Sequence, residues 1–147
     1  MTVTITEEIS LNGQDKGSTN SLTIASIAEI DQRIVEVPTS EITILAFQVD
    51  NPGVGTYDEA DVRYIRITNK DDTNHVTLTF KSENSNECAH KLDAGHSFVY
   101  AGDNSGGVVN THDAEASALS VSLDDLVDIT ALADTAAVDL ELFVAGT

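Results

Sequence analysis

A chain of 147 residues, 41% of them hydrophobic, has the size of one domain and can bury about two-thirds of the surface its unfolded form exposes. Its 25 acidic and 7 basic residues give a net charge of −18, a field that repels nucleic-acid phosphates and anionic membrane surfaces. One cysteine, Cys88, excludes an internal disulfide, so stability has to come from packing or from neighbouring subunits.

No run approaches the ~18 apolar residues of a membrane-spanning helix, and the first residues lack the basic region and apolar core of a secretory signal. The excess of carboxylates reads as a solvated surface that keeps the chain soluble at high local concentration. With so many apolar residues, the charge does not imply disorder.

Residues 2–11, TVTITEEISL, alternate as a strand that puts Val3, Ile5, Ile9 and Leu11 on one face, interrupted by Glu7. The Gly- and Asn-rich NGQDKGSTN is a turn or loop, and Leu22–Ile30 is a second β-prone run, with a helix over SIAEIDQRI as the competitor. Pro38 cannot donate to a central ladder, so it separates a strand ending at RIVEV from one in EITILAFQVD. The second of these is apolar on both parities, which calls for cover on both faces. NPGVGTYDEA then breaks regular structure.

The best-patterned stretch is Asp61–Tyr100. Facing Asn69 with Asn74 across Lys70–Thr73 pairs Ile67 with Val76, Ile65 with Leu78 and Arg63 with Phe80 on an apolar side. The other side, with Tyr64, Arg66 and Thr77, is then wet. A second hairpin is expected to turn at Asp93-Ala94-Gly95; Leu92 beside Phe98 gives the best apolar match, and registers with a shorter loop stay open. Residues 101–118 are loop-like, and a period of two returns at Leu119, Val121 and Leu123. Two closing strands follow, carrying Val127, Ile129 and Ala131, then Val138, Leu140, Leu142 and Val144, joined at Asp134–Ala136; a helix over Asp124–Ala133 competes with the first. Eight to ten short strands with regular turn signals predict an all-β fold, an antiparallel β-sandwich of jelly-roll type or a barrel, as one domain over residues 1–147.

Chemistry is thinly signalled. AGDNSGG at 101–107 echoes the loop around a serine-protease nucleophile, but Asn104 interrupts it and no base accompanies it. His75, His90, His96 and His112 include no His-x-His pair and read as surface or edge residues, not as metal ligands. Asp71-Asp72, Asp124-Asp125-Asp128 and Asp58-Glu59-Asp61 offer oxygens to calcium, yet none follows an EF-hand loop. No Trp and three Tyr leave little for stacking a sugar. Cys88 reads as a small buried hydrophobe, and no phosphate loop or dinucleotide fingerprint occurs. No catalytic residue, cofactor or metal is therefore expected.

Three segments carry a family resemblance: RYIRITNKDDTNHVTLTF from Arg63, HKLDAGHSFVYAG from His90, and ADTAAVDLELFVAGT at the end. The pattern of Arg63–Asn69, the Leu92–Phe98 corner and the closing Asp139–Ala145 resembles small β-sandwich virion proteins of tailed bacteriophages, of the kind found in phages of marine bacteria and cyanobacteria. The resemblance covers about half of the chain, and its motifs are structural corners. It implies a capsid cement or decoration protein, non-enzymatic, whose partner is the major capsid protein and whose place is the outer surface of the virion. A homo-oligomer is expected, a trimer by this reading, without nucleic-acid or membrane contact. A tail or head-to-tail joint protein of the same virion is the alternative, and a carbohydrate- or calcium-binding β-sandwich module is a third. In this picture Val3, Ile5, Ile9 and Leu11, within residues 1–12, belong either to an N-terminal arm that joins a neighbour by strand addition or to an edge strand of their own sandwich.

Overall fold

The computed structural model describes residues 1–49, 53, 55–101, 106–112 and 123–147. Among them all regular structure is β. Four short strands come first: β1 (Thr2–Thr6), β2 (Ser10–Leu11), β3 (Gln14–Asp15) and β4 (Thr19–Thr23). The body comprises β5 (Glu29–Val37), β6 (Ile42–Gln48), β7 (Tyr57–Asp58), β8 (Val62–Asn69), β9 (Val76–Ser82), β10 (Glu87–Leu92), β11 (Ser97–Ala101), β12 (Leu126–Ala133) and β13 (Val138–Gly146).

The eight long body strands make an antiparallel β-sandwich of jelly-roll topology. One sheet runs β11-β8-β13-β5; the other runs β10-β9-β12-β6, with the two residues of β7 added in parallel to the end of β6. Between the sheets lies one apolar core, in which Leu45, Ile65, Ile67, Leu78, Ile129, Leu140 and Leu142 are fully buried. The expectation of one jelly-roll sandwich is met, but the pairings drawn from the alternating pattern are not. β8 hydrogen-bonds to β13 and β11, while β9 hydrogen-bonds to β10 and β12, so the Ile67–Val76, Ile65–Leu78 and Arg63–Phe80 partners lie in opposite sheets. The β10–β11 hairpin and the β12–β13 hairpin fail in the same way. Alternation dictates which side of a strand is buried, and two strands that face each other across a sandwich satisfy it as well as two that share a ladder. Only β9–β10, among consecutive long strands, is a hairpin.

Sheet irregularities account for the other departures. The register slips between Leu126 and Asp128, so Val127 sits in a bulge and the buried set becomes Leu126, Ile129, Ala131 and Ala133. That bulge produces the apparent helical stripe at Leu126, Ile129 and Ala133. β6 and β12 slip in the same manner beside Ile44, and the slip switches parity: Ile42, Ile44, Leu45 and Phe47 all turn to the one core while Thr43 and Gln48 stay exposed, so the apolar residues on both parities reflect a bulge and not cover on two faces. The run Leu22–Ile30 is neither one strand nor a helix: it breaks at Ser26, whose φ of 57° no extended strand accepts. Leu119 and Val121 lie outside the described residues; Leu123 immediately precedes the bridge residue Asp124.

Candidate functional site

Val3, Ile5, Ile9 and Leu11 share one face, as their alternation requires. Their strand is not an edge of the sandwich. It folds back on residues 14–23: Thr2 pairs with Thr23, Ile5 with Asn20, Thr6 with Thr19, Ser10 with Asp15 and Leu11 with Gln14 in one unbroken register. Glu7 N–H donates to Ser18 O and Lys16 N–H to Ile9 O, each at 2.8 Å, and carry that register through the stretch between the short strands. Asn12 and Gly13, with φ of 53° and 74°, form the two-residue turn at the tip that the Asn-Gly dipeptide favours. Residues 1–23 are thus a two-stranded hairpin, roughly 30 Å long at strand rise. Among the described residues no strand of the body pairs with it.

The two faces of this arm differ. One carries the four apolar residues; the other carries Thr2, Thr4, Thr6, Thr19, Ser21 and Thr23. At its root the apolar face lies on the outer surface of the four-stranded sheet. There Ile24, Tyr64 and Ala145 are buried beneath Met1, Val3, Leu22, Ile27 and Phe143. Alternation alone places Tyr64 on a wet face, and it is the arm's root that dries it. Beyond the root Ile5, Ile9 and Leu11 are 46%, 48% and 59% exposed. An isolated two-stranded ribbon is marginal in water, and one with an apolar stripe gains most by covering it.

Asp71, Asp124, Asp125 and Asp58 are occupied in maintaining turns and corners, while Asp128 lies within β12. Asp71 Oδ1 accepts from Thr73 N–H and Asn74 N–H at 2.7 and 2.6 Å, and these bonds, Asn74's first, hold its carboxyl below the usual range. Asp124 accepts from Asn84 Nδ2, Asn86 Nδ2 and Ser82 Oγ at 2.8 to 2.9 Å, with the same consequence. Asp125 receives Asn110 N–H, and Asp58 receives Ala60 N–H. Among the described residues no three His, Cys, Asp or Glu side chains converge as metal ligands.

His75 lies 3.4 Å from Asp134, His96 Nδ1 is 2.9 Å from Ala94 O, and His90 is exposed against the ring of Phe98. His112 departs from the surface reading. It stacks on Phe80 at 5.7 Å and sits 6.2 Å from the ring of Tyr100, and burial lowers its pKa. Cys88 is also corrected. It lies exposed on β10, an edge strand with a neighbour on one side only, so the inward parity of its position does not bury it. The AGDNSGG echo falls outside the described residues at 102–105.

Sequence reasoning did not find the groove of about 270 Å³ between β5, β7 and the end of β13, lined by Glu29, Asp31, Tyr57, Asp58 and Asp61. Tyr57 donates its hydroxyl to Asp31, which Arg33 also holds at 2.8 Å; burial and that carboxylate push the phenol up to about 12. The arrangement is an internally satisfied ion pair beneath a tyrosine. No motif announces it, because its members come from strands whose pairing the local pattern does not reveal.

No protein-family model matches this chain, and no curated protein matches it. Among solved structures, a chain of the Bacillus endospore appendages, a family of disulfide-linked pili, is similar over 86% of this chain and 94% of that one, at 16% identity and a TM-score of 0.43.

Proposed function

We propose that this chain is a non-enzymatic structural protein of a bacteriophage virion, a cement or decoration protein that sits as a homo-oligomer on the outer surface of the major capsid shell. The observation that carries the reading is the arm: a whole hairpin whose strands, among the described residues, bond to each other and to no strand of the body, and which leaves Ile5, Ile9 and Leu11 exposed beyond its root. A protein that works by adhesion uses such an element, because strand edges and an apolar stripe bind a neighbouring chain without any pocket. The charge of −18 is compatible with life on the outer side of a DNA-filled shell. The corner motifs at Arg63–Asn69, Leu92–Phe98 and Asp139–Ala145 support the same family.

Co-sedimentation with bare capsids tests the proposal. The full chain is expected to pellet with heads, and a variant lacking residues 1–24 is expected to stay in solution. Failure of the full chain to bind any head or tail assembly overturns the reading, whereas binding to tails alone moves the protein to a tail or joint role. If instead millimolar calcium or a glycan raises the melting temperature, the binding-module alternative gains at its expense, since a native-state ligand stabilises by mass action.

A further inference from the structure

We infer that the arm of one copy adds its β1 edge to the free edge of β5 in a second copy, running parallel to it, with Ile5 beside Ile30 and Ile9 beside Ile34. The inference rests on the arm being the adhesive element of the proposed function, and it names what that element grips.

Among the described residues both edges are open. β1 bonds to β4 alone, and β5, nine residues long, bonds to β13 alone. Such a long flat edge is a template for a further strand. On β5 the even-numbered side chains face outward, and Ile30 and Ile34 are 60% and 64% exposed, a pair of bare isoleucines on an otherwise acidic molecule. Their separation of four residues equals that of Ile5 and Ile9 on the arm. One register therefore matches both pairs at once, and β-branched neighbours on one face of adjacent strands stabilise each other.

Charge chooses the direction. With the strands parallel, Val3 falls beside Ala28, Glu7 beside Gln32 and Glu8 beside Arg33, and no like charges meet. Arg33 holds Asp31 and donates to Ile44 O, yet keeps 36% of its side chain exposed, so its positive charge faces an incoming strand from the edge. The antiparallel alternative, which also matches the isoleucines, sets Glu8 beside Asp31. Like charges directly opposite are destabilising, and on a chain of net charge −18 there is little cation to spare. The contact joins different surfaces on the two copies, so it generates a closed ring or an open chain of subunits.

Sedimentation velocity of the protein without capsids is expected to show association that strengthens as salt screens the repulsion between acidic copies. The double variant Ile30→Lys, Ile34→Lys alters two exposed positions; it is expected to keep its melting curve and to associate roughly tenfold more weakly or worse. In a Cys88→Ser background, Ile9→Cys with Ile34→Cys is expected to oxidise to covalent oligomers, and Ile9→Cys with Ile30→Cys to a much smaller extent. A chain that stays monomeric at its highest soluble concentration in high salt, association untouched by the two lysines, or faster crosslinking of the Ile9→Cys, Ile30→Cys variant than of the Ile9→Cys, Ile34→Cys variant overturns the inference. Of these, a monomeric chain that still pellets with capsids overturns this contact and the homo-oligomer, and leaves capsid binding itself standing.

Discussion

The side chain of Asn69 in one sheet donates to the carbonyl of Leu92 in the other, at 3.2 Å. The same amide donates to Asn74 O at 2.9 Å, and Asn69 Oδ1 accepts from Asp71 N–H at 2.9 Å. With 1% of its surface exposed, this one carboxamide closes the β8–β9 corner and ties it to the end of β10. Asn69→Ala removes the donors to the buried Leu92 carbonyl and the part-buried Asn74 carbonyl and the acceptor of Asp71 N–H, and is expected to cost about 3 kcal/mol. For a chain of this size that lowers the melting temperature by roughly 10 °C, read by calorimetry. Asn69→Asp, which keeps the acceptor and loses both donors, is expected to be no better.

Asp124 contributes to the acid limit at the opposite end of the sandwich, alongside Asp71, whose carboxyl is also held low. Three donors, from Asn84, Asn86 and Ser82, hold its carboxyl below its ordinary value of 3.8. A folded-state pKa below the unfolded one contributes stability at pH well above 3.8, and that stability is lost as pH falls through 3.8 toward the folded value. Urea midpoints measured between neutral pH and pH 2 are expected to fall along this limb, and less steeply for Asp124→Asn.

His112 adds a separate, milder limb at higher pH. Burial against Phe80 and Tyr100 lowers its pKa from 6.5, so the unfolded chain takes up a proton that the folded chain resists. The neutral ring's contribution is complete above 6.5 and declines as pH drops below it. His112→Phe, which keeps the stack, is expected to remove this limb while leaving the one due to Asp124. Unchanged midpoints between pH 7 and pH 5 in both proteins would contradict the assignment.

Hydrogen exchange distinguishes arm from body. Amides of the hairpin beyond its root, around Ile5 and Ile9, are expected to exchange at least about a hundredfold faster than those of Ile65 and Leu142, because a lone ribbon opens without disturbing the core. Gly17→Ala drives a methyl into Glu7 O and is expected to speed arm exchange further while leaving the body's melting curve unchanged.

The apolar alternation of Ile65, Ile67, Val76, Leu78 and Phe80 is enough to read the strands, their buried sides and the sandwich class. It is silent on partners, because burial against the facing sheet and burial beside a ladder neighbour impose the same period. Val3, Ile5, Ile9 and Leu11 are legible as a stripe for the same reason, and the Asn12-Gly13 turn marks where the strand returns, although its continuation through Lys16 and Gly17 lacks any β-propensity of its own. The exposure of Cys88 and the burial of Tyr64 are illegible. Each depends on how far a neighbouring element reaches, which no local pattern records.

The strand order β11-β8-β13-β5 has a kinetic corollary. β13 lies between β8 and β5, so those two strands have no common ladder until the last of the body strands has been made. A nascent chain halted anywhere before Val138 leaves the edges that β8 and β5 present to β13 bare. Such far-apart pairings fold on the slow side, in milliseconds to seconds. In the inferred contact between copies, the arm is made early in synthesis, whereas β5 gains its own sheet, and with it a settled receiving edge, only once synthesis has passed β13.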